Sequence, residues 1–117
     1  MQQFRFDKAA GLKVTYYNSN FIMTRIAKLD SLVQIGCMHL DNGGLIGYHQ
    51  AAVPQLLLIV EGDGWIRTEH EKHFIQKGDA VFLEKGEWHE TRTDNGMTAI
   101  SIESTGLNPE EFMVKKR

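Results

Sequence analysis

The sequence has one cysteine, two prolines, and no unbroken apolar run longer than Leu56 to Val60. A single Cys37 excludes an intramolecular disulfide and any Cys-rich zinc module. Any metal site must therefore be built from histidine with carboxylate or amide oxygen. The apolar run falls far short of the ~20 residues a membrane-spanning helix needs. The segment from Met1 to Asp7 has no apolar stretch of signal-peptide length, so a soluble cytoplasmic protein is the expectation. An excess of one charge is missing too: 13 Lys and Arg stand against 15 Asp and Glu, a net charge of −2. That speaks against a nucleic-acid partner, which needs a basic face.

What is present is a chain of 117 residues, 42% of them hydrophobic, with five histidines and eleven glycines. The length suits one domain, and a domain of this size buries roughly 65% of its unfolded surface, enough for a core without cross-links. With no charge block or tandem repeat, residues 1–117 are read as a single domain, its core spanning about 21–103 and a C-terminal extension about 104–117.

From Phe21 to Glu103 short apolar segments alternate with turn signals. Asp30-Ser31, Asp41-Asn42-Gly43-Gly44, Asp63-Gly64, Gly78-Asp79, Lys85-Gly86 and Asp94-Asn95-Gly96 read as turns. Asn42-Gly43 and Asp63-Gly64 are dipeptides that tight hairpins favour. The segments between them, Leu32–Leu40, Leu45–Val53, Gln55–Glu61, Trp65–Thr68, His73–Gln76, Ala80–Leu83 and Thr98–Glu103, read as strands. The expected class is all-β, a sandwich or barrel. Gln55 to Val60 lacks the alternation of a half-exposed strand and should be covered on both faces, with a partner subunit favoured as the second cover. Asn108-Pro109-Glu110-Glu111 carries an N-cap, a first-turn Pro and first-turn acids, and predicts a short C-terminal helix ending in the solvated Lys115-Lys116-Arg117.

Two spaced constellations carry chemistry. In the first, Gly43 is followed after five residues by His49, after one by Ala51, after three by Gln55 and after six by Gly62. In the second, Gly78 is followed after five by Glu84, after one by Gly86, after two by His89 and after three by Thr93; fifteen residues separate the two. This resembles the cupin superfamily over roughly Leu32 to Glu103. Six of the ten positions match its two motifs: Gly43, His49, Gly62, Gly78, Gly86 and His89. The resemblance implies a double-stranded β-helix, a jelly-roll barrel, commonly dimeric, with three histidines and a glutamate on one divalent transition metal (Zn, Ni, Mn, Fe or Cu).

The match departs from the family at the metal. Ala51 replaces the second histidine and has no donor atom, and Gln55 replaces the glutamate with a neutral amide. His49, Gln55 and His89 remain, three neutral donors that lack the carboxylate of a facial triad. Two readings of this set stay open: a weakly held divalent metal, or pocket histidines satisfied by Gln55 or water. Residues two apart on a strand share a face, so His49 and Ala51 can both point inward with Gln55. If residues 41–44 close a simple hairpin, Leu40 pairs with Leu45, and Gly36, Met38 and Leu40 face inward with His49. His39 and Cys37 then face outward, whereas a one-residue register slip would turn His39 inward as a further ligand.

Trp65 and Trp88 are candidates for the mouth of the pocket, beside a core-packing alternative. Tyr48 has outward parity. His70 and His73 sit in a polar stretch and read as solvated. Glu61, Glu90 and Glu103 are possible carboxylates, with nothing in the sequence to choose among them. Cys37 has no partner base, and Ser101 and Ser104 lack the context of a nucleophile.

Three functions emerge as expectations. The first is a small-molecule binder using His49, Gln55, His89, Trp65 and Trp88. A metal-dependent oxygenase or isomerase using His49, His89 and Gln55 is the second. Third comes a homodimeric interaction module without a ligand. Sensor domains of some transcription regulators also resemble cupins, but 117 residues leave no room for a helix-turn-helix reader beside the barrel.

Overall fold

Glu61 lies midway along the longest strand of the computed structural model, which describes residues 1–116. The described strands are β1 Gln2–Arg5, β2 Leu12–Val14, β3 Phe21–Met23, β4 Gln34–Leu40, β5 Leu45–Gln50, β6 Gln55–Arg67, β7 Lys72–Gln76, β8 Asp79–Leu83, β9 Trp88–Arg92, β10 Met97–Glu103 and β11 Val114–Lys115. One face runs in the order β11-β1-β8-β6-β10-β4. The other joins β5 to β9, β9 to the far half of β6, and β6 to β7. β2 and β3 form a separate hairpin. Among the described residues no helix is long and apolar enough to cross a membrane.

β6 belongs to both faces. Gln55–Leu58 pair with β8 and Gln55–Gly62 with β10, whereas Asp63–Arg67 pair with β7. The change of sheet falls at Gly62, whose φ is +77° and whose Cβ, if present, would collide with the Gly96 carbonyl. Only glycine fits there, which is what the motif position requires. Asp63-Gly64 is accordingly not the expected hairpin turn. The chain continues as strand, and Gly64 admits the Arg92 carbonyl at close range. The true turn comes after Arg67, closed by Thr68 N–H donating to the Glu71 carbonyl at 2.8 Å.

The all-β expectation is met, but the sheets do not close into a barrel. Among the described residues β4 bonds only to β10, and β5 only to β9. The turn at Asn42-Gly43 therefore does not close the expected hairpin; it carries the chain from one sheet to the other. The inward parity of Gly36 and Met38 survives because β10 on one side imposes it: Gln34, Gly36 and Met38 lie opposite Glu103, Ser101 and Ala99.

Gln55 to Ile59 is buried on both faces, as expected, but the second cover is the chain itself. Leu57 and Ile59 join a core with Ile66, Ile75, Val81, Leu83 and Met97. Leu56 and Leu58 join a second core with Phe4, Ala80, Phe82, Leu107 and Met113, against which Ile26 and Leu29 pack. Segments before β4 and after β10 supply what a partner subunit was expected to supply.

The C-terminal helix is not formed. Pro109–Glu111 make one 3-10 turn, and Val114–Lys115 then pair with Phe4 and Arg5 of β1. A helix this short has a costly nucleus. Burial of Met113 and pairing with β1 override the local capping signals. The tail is not simply solvated: Lys116 Nζ donates to Asp79 Oδ2 at 2.6 Å, and Lys115 meets Glu110 at 3.2 Å. Arg117 lies outside the described residues.

Candidate functional site

A cavity of about 290 Å³ opens between the two sheets, lined from β4, β5, β6, β9 and β10. Its walls are graded by strand register. Gln34, Glu103 and Gln55 stand side by side across β4, β10 and β6, with Gly36, Ser101 and Leu57 in the next inward row. Met38, Ala99 and Ile59 form the row beyond; Ala99 and Ile59 belong to the core. The opposite wall carries Ile46, His49, His89 and Thr91.

His49 and His89 lie directly opposite each other on β5 and β9, ring centroids 4.4 Å apart. Their pairing depends on an irregularity in β5. Ile46 pairs with Thr91 and His49 with His89, so Gly47 and Tyr48 together face the single residue Glu90. Such a bulge adds one residue to a strand and reverses the facing of every residue beyond it. Ile46 and His49, three apart, thus line the same cavity.

Each ring is oriented by a backbone carbonyl two residues earlier. His49 Nδ1 meets the Gly47 oxygen at 2.7 Å, and His89 Nδ1 meets the Glu87 oxygen at 3.2 Å. A carbonyl only accepts, so both Nδ1 atoms carry hydrogen, and each neutral ring keeps its lone pair on Nε2. Neither Nε2 has a hydrogen-bond partner among the described residues. His89 is almost fully buried, and burial pushes its pKa below the usual histidine value. The Glu87 carbonyl opposes that shift, and the neighbouring His49 adds to it.

Gln55 uses its amide hydrogens within the wall, donating to Ser101 Oγ at 2.9 Å and to Glu103 Oε1 at 3.2 Å. Of the three carboxylates the sequence left equal, only Glu103 lines the cavity. Glu61 is exposed near Lys77, and Glu90 is paired with Arg67 at 3.2 Å. Thr91 Oγ1 is buried with no hydrogen-bond partner among the described residues. Sequence reasoning did not single out Thr91, Gln34 or Ile46. The signal for Gln34 and Glu103 is their register with Gln55, which only the sheet order discloses.

Other candidates fall elsewhere. Trp65 and Trp88 are not in the cavity lining: Trp65 packs edge-on against Phe74 and Trp88 stacks on Tyr48, ring centroids 5.3 Å apart in each pair. Both pairs lie partly exposed on the outside. His39, Cys37 and His70 are exposed, and His73 is an outer neighbour of Glu71 at 3.2 Å. Ser104 Oγ shares a hydrogen bond with Ser31 Oγ at 2.8 Å and is structural. Thr93 is buried as well, its hydroxyl donating to the Asp63 carbonyl at 2.7 Å.

The residues present do not fit a complete metal site. Ala51 is buried in the core and offers only a methyl group, and Gln55 is neutral. Among the described residues no group of three or more His, Cys, Asp and Glu side chains is placed to hold an ion. What the arrangement offers is two imidazole lone pairs, a carboxylate, the Gln55 amide oxygen, the Gln34 amide and hydroxyls around a small open space.

Comparison with solved structures gives the class. A cupin superfamily protein of Desulfitobacterium hafniense superposes with a TM-score of 0.59 at 19% identity, over 66% of this chain and 70% of that one. A cupin-like protein of Thermotoga maritima does so with a TM-score of 0.59 at 18% identity, over 63% of this chain and 58% of that one. The fold is that of the cupin superfamily, with a metal motif that is degenerate. Residues 44–113, more than half of the chain, match the sequence profile of the AraC-like ligand binding domain. The chain belongs to that family. No curated protein sequence matches it.

Proposed function

We propose that this protein binds a small molecule in the cavity between its sheets, with His49, Gln55 and His89 among the contacts. The observation that carries this reading is the opposed histidine pair, two rings held at Nδ1 by backbone carbonyls with both Nε2 atoms unpartnered among the described residues, beside a 290 Å³ cavity. That volume is at the lower end of the range for small-ligand sites, about 300 to 1,000 Å³. Membership of a family described as ligand binding supports it.

A metabolite panel read by thermal shift, with calorimetry on the hits, tests the proposal. A compound that raises the melting temperature and loses its effect in His49→Ala and His89→Ala is the expected result. If no compound binds, or if binding ignores both substitutions, the reading fails. The metal-dependent enzyme is a separate outcome: turnover that requires a stoichiometric ion and both histidines would replace simple binding.

A homodimer is also proposed, now on a different feature. β4 is an edge strand, bonded only to β10 among the described residues; Ile35 within it and Leu32 just before it are 64% and 94% exposed. An unpaired edge of this kind readily accepts another strand. Sedimentation showing a monomer at every concentration would remove the homodimer without touching the cavity.

A further inference from the structure

We infer that the cavity selects a small organic cation, an ammonium group on a short polar frame, in preference to anions and neutral polyols. This rests on the ligand-binding reading above and deepens it.

The inventory of polar atoms points one way. His49 and His89 each present an Nε2 lone pair, because their Nδ1 hydrogens are held by the Gly47 and Glu87 carbonyls. Gln55 has both amide hydrogens engaged on Ser101 and Glu103, which leaves its carbonyl oxygen as what it can offer. Glu103 contributes a carboxylate that accepts one hydrogen bond from Gln55 and, among the described residues, meets no Lys or Arg. No described Lys or Arg lines the cavity. The walls therefore hold a carboxylate with no described Lys or Arg beside it, and the donors that remain, the Gln34 amide and the Ser101 and Thr91 hydroxyls, are neutral.

Glu103 differs in this from the other two candidate carboxylates. Glu90 is paired with Arg67, and Glu61 lies near Lys77, so the chain supplies cations where carboxylates need only be neutralised. Thr91 is an independent observation on the opposite wall. Its hydroxyl oxygen is buried, lines the cavity, and has no partner among the described residues, a condition costly enough that native structures seldom leave it unmet. A ligand group reaching Thr91 and the histidines would meet it.

An ammonium group brings three donors, no acceptor and the missing positive charge. A carboxylate or phosphate would place like charge beside Glu103 and find only neutral donors, the Gln34 amide and the Ser101 and Thr91 hydroxyls. A polyol would satisfy the lone pairs but leave the Glu103 charge unpaired.

Isopropanolamine, propylene glycol and lactate share one carbon frame and differ at the head group, which makes them suitable probes. Binding of each is measured by calorimetry and ligand-observed NMR at neutral pH on the wild type, Glu103→Gln and Gly36→Leu. Glu103→Gln keeps the shape and the acceptor oxygen for Gln55, and Gly36→Leu fills the cavity. The amine should bind at least tenfold more tightly than the other two, lose that advantage in Glu103→Gln, and lose binding in Gly36→Leu. Tighter or equal binding of the glycol or lactate, abolished by Gly36→Leu, would overturn the cation inference and leave the cavity reading standing. If no probe binds the wild type, or binding survives Gly36→Leu, both fall.

Discussion

Leucine in place of Gly36 should close the cavity while leaving the fold intact or slightly more stable. Gly36 has no left-handed φ, and a Cβ built on it meets no atom within 4 Å. The side chain would enter the space between Met38 and Gln34 on β4, facing Ser101 and Leu57 across the sheet. Removing a glycine from a strand interior is worth about 0.5 to 1 kcal/mol. Complete burial of a leucine adds about 1.5 to 3 kcal/mol, and an edge-strand position that stays partly open should realise about a third to a half of that. The net gain is about 1 to 2 kcal/mol. Unfolding entropy of about 2.1 cal/mol/K per residue turns this into a rise of about 4 to 8 °C in melting temperature. Scanning calorimetry reads the stability, and calorimetric titration of any thermal-shift hit reads the binding. A loss of more than about 1 kcal/mol would show that the space is not available to a side chain. Undiminished ligand affinity in a stable variant would place the ligand elsewhere.

Three further outcomes rest on named contacts. Phe4→Ala should cost about 3 to 5 kcal/mol by urea denaturation, because Phe4 is fully buried in the cluster it forms with Leu56, Leu58 and Phe82; a cost below about 1 kcal/mol would mean that this second core is not integral. Since burial holds the folded His89 pKa below the usual value of about 6.5, the unfolded chain takes up the proton first as pH falls, and stability should decline from about pH 6.5 toward the folded pKa by up to about 1.4 kcal/mol per unit. His89→Gln should flatten that part of the profile, and an unchanged slope would assign it to other groups. After dialysis against Zn, Ni, Mn, Fe or Cu, elemental analysis should find well below one equivalent retained, and a full equivalent lost in His49→Ala would refute the reading of the donor set.

The core was legible because apolar runs report burial directly, and Leu56 to Ile59 show it on both faces of β6. Which residues covered that strand was not, since Phe4 and Met113 lie far from it in sequence and carry no local sign of where they dock. β9 carries no apolar run to mark it as a strand, and only the motif spacing places His89 on one. Its inward residues are His89 and Thr91, so the apolar-polar alternation that marks a half-buried strand is replaced by a polar lining. The glycine dipeptide at Asp63-Gly64 misled in the opposite sense, because glycine serves there for close approach of the Arg92 carbonyl rather than for a turn. The histidine pair was readable from spacing, yet the bulge at Gly47 and Tyr48 that makes it face inward was not. Glu103 had no distinguishing neighbours in sequence; its place beside Gln34 and Gln55 is a product of sheet order.

Whether His49 and His89 hold their lone pairs open to the cavity is tested most directly by nitrogen NMR of the two imidazoles in metal-free protein above about pH 7. Both rings should show a protonated Nδ1 and a bare Nε2. The Nε2 resonances should move when a compound that raises the melting temperature is added, and stay still in Gly36→Leu. Protonation at Nε2 in both rings, or a bound compound that leaves both Nε2 signals in place, would contradict the assignment of this cavity as the binding site.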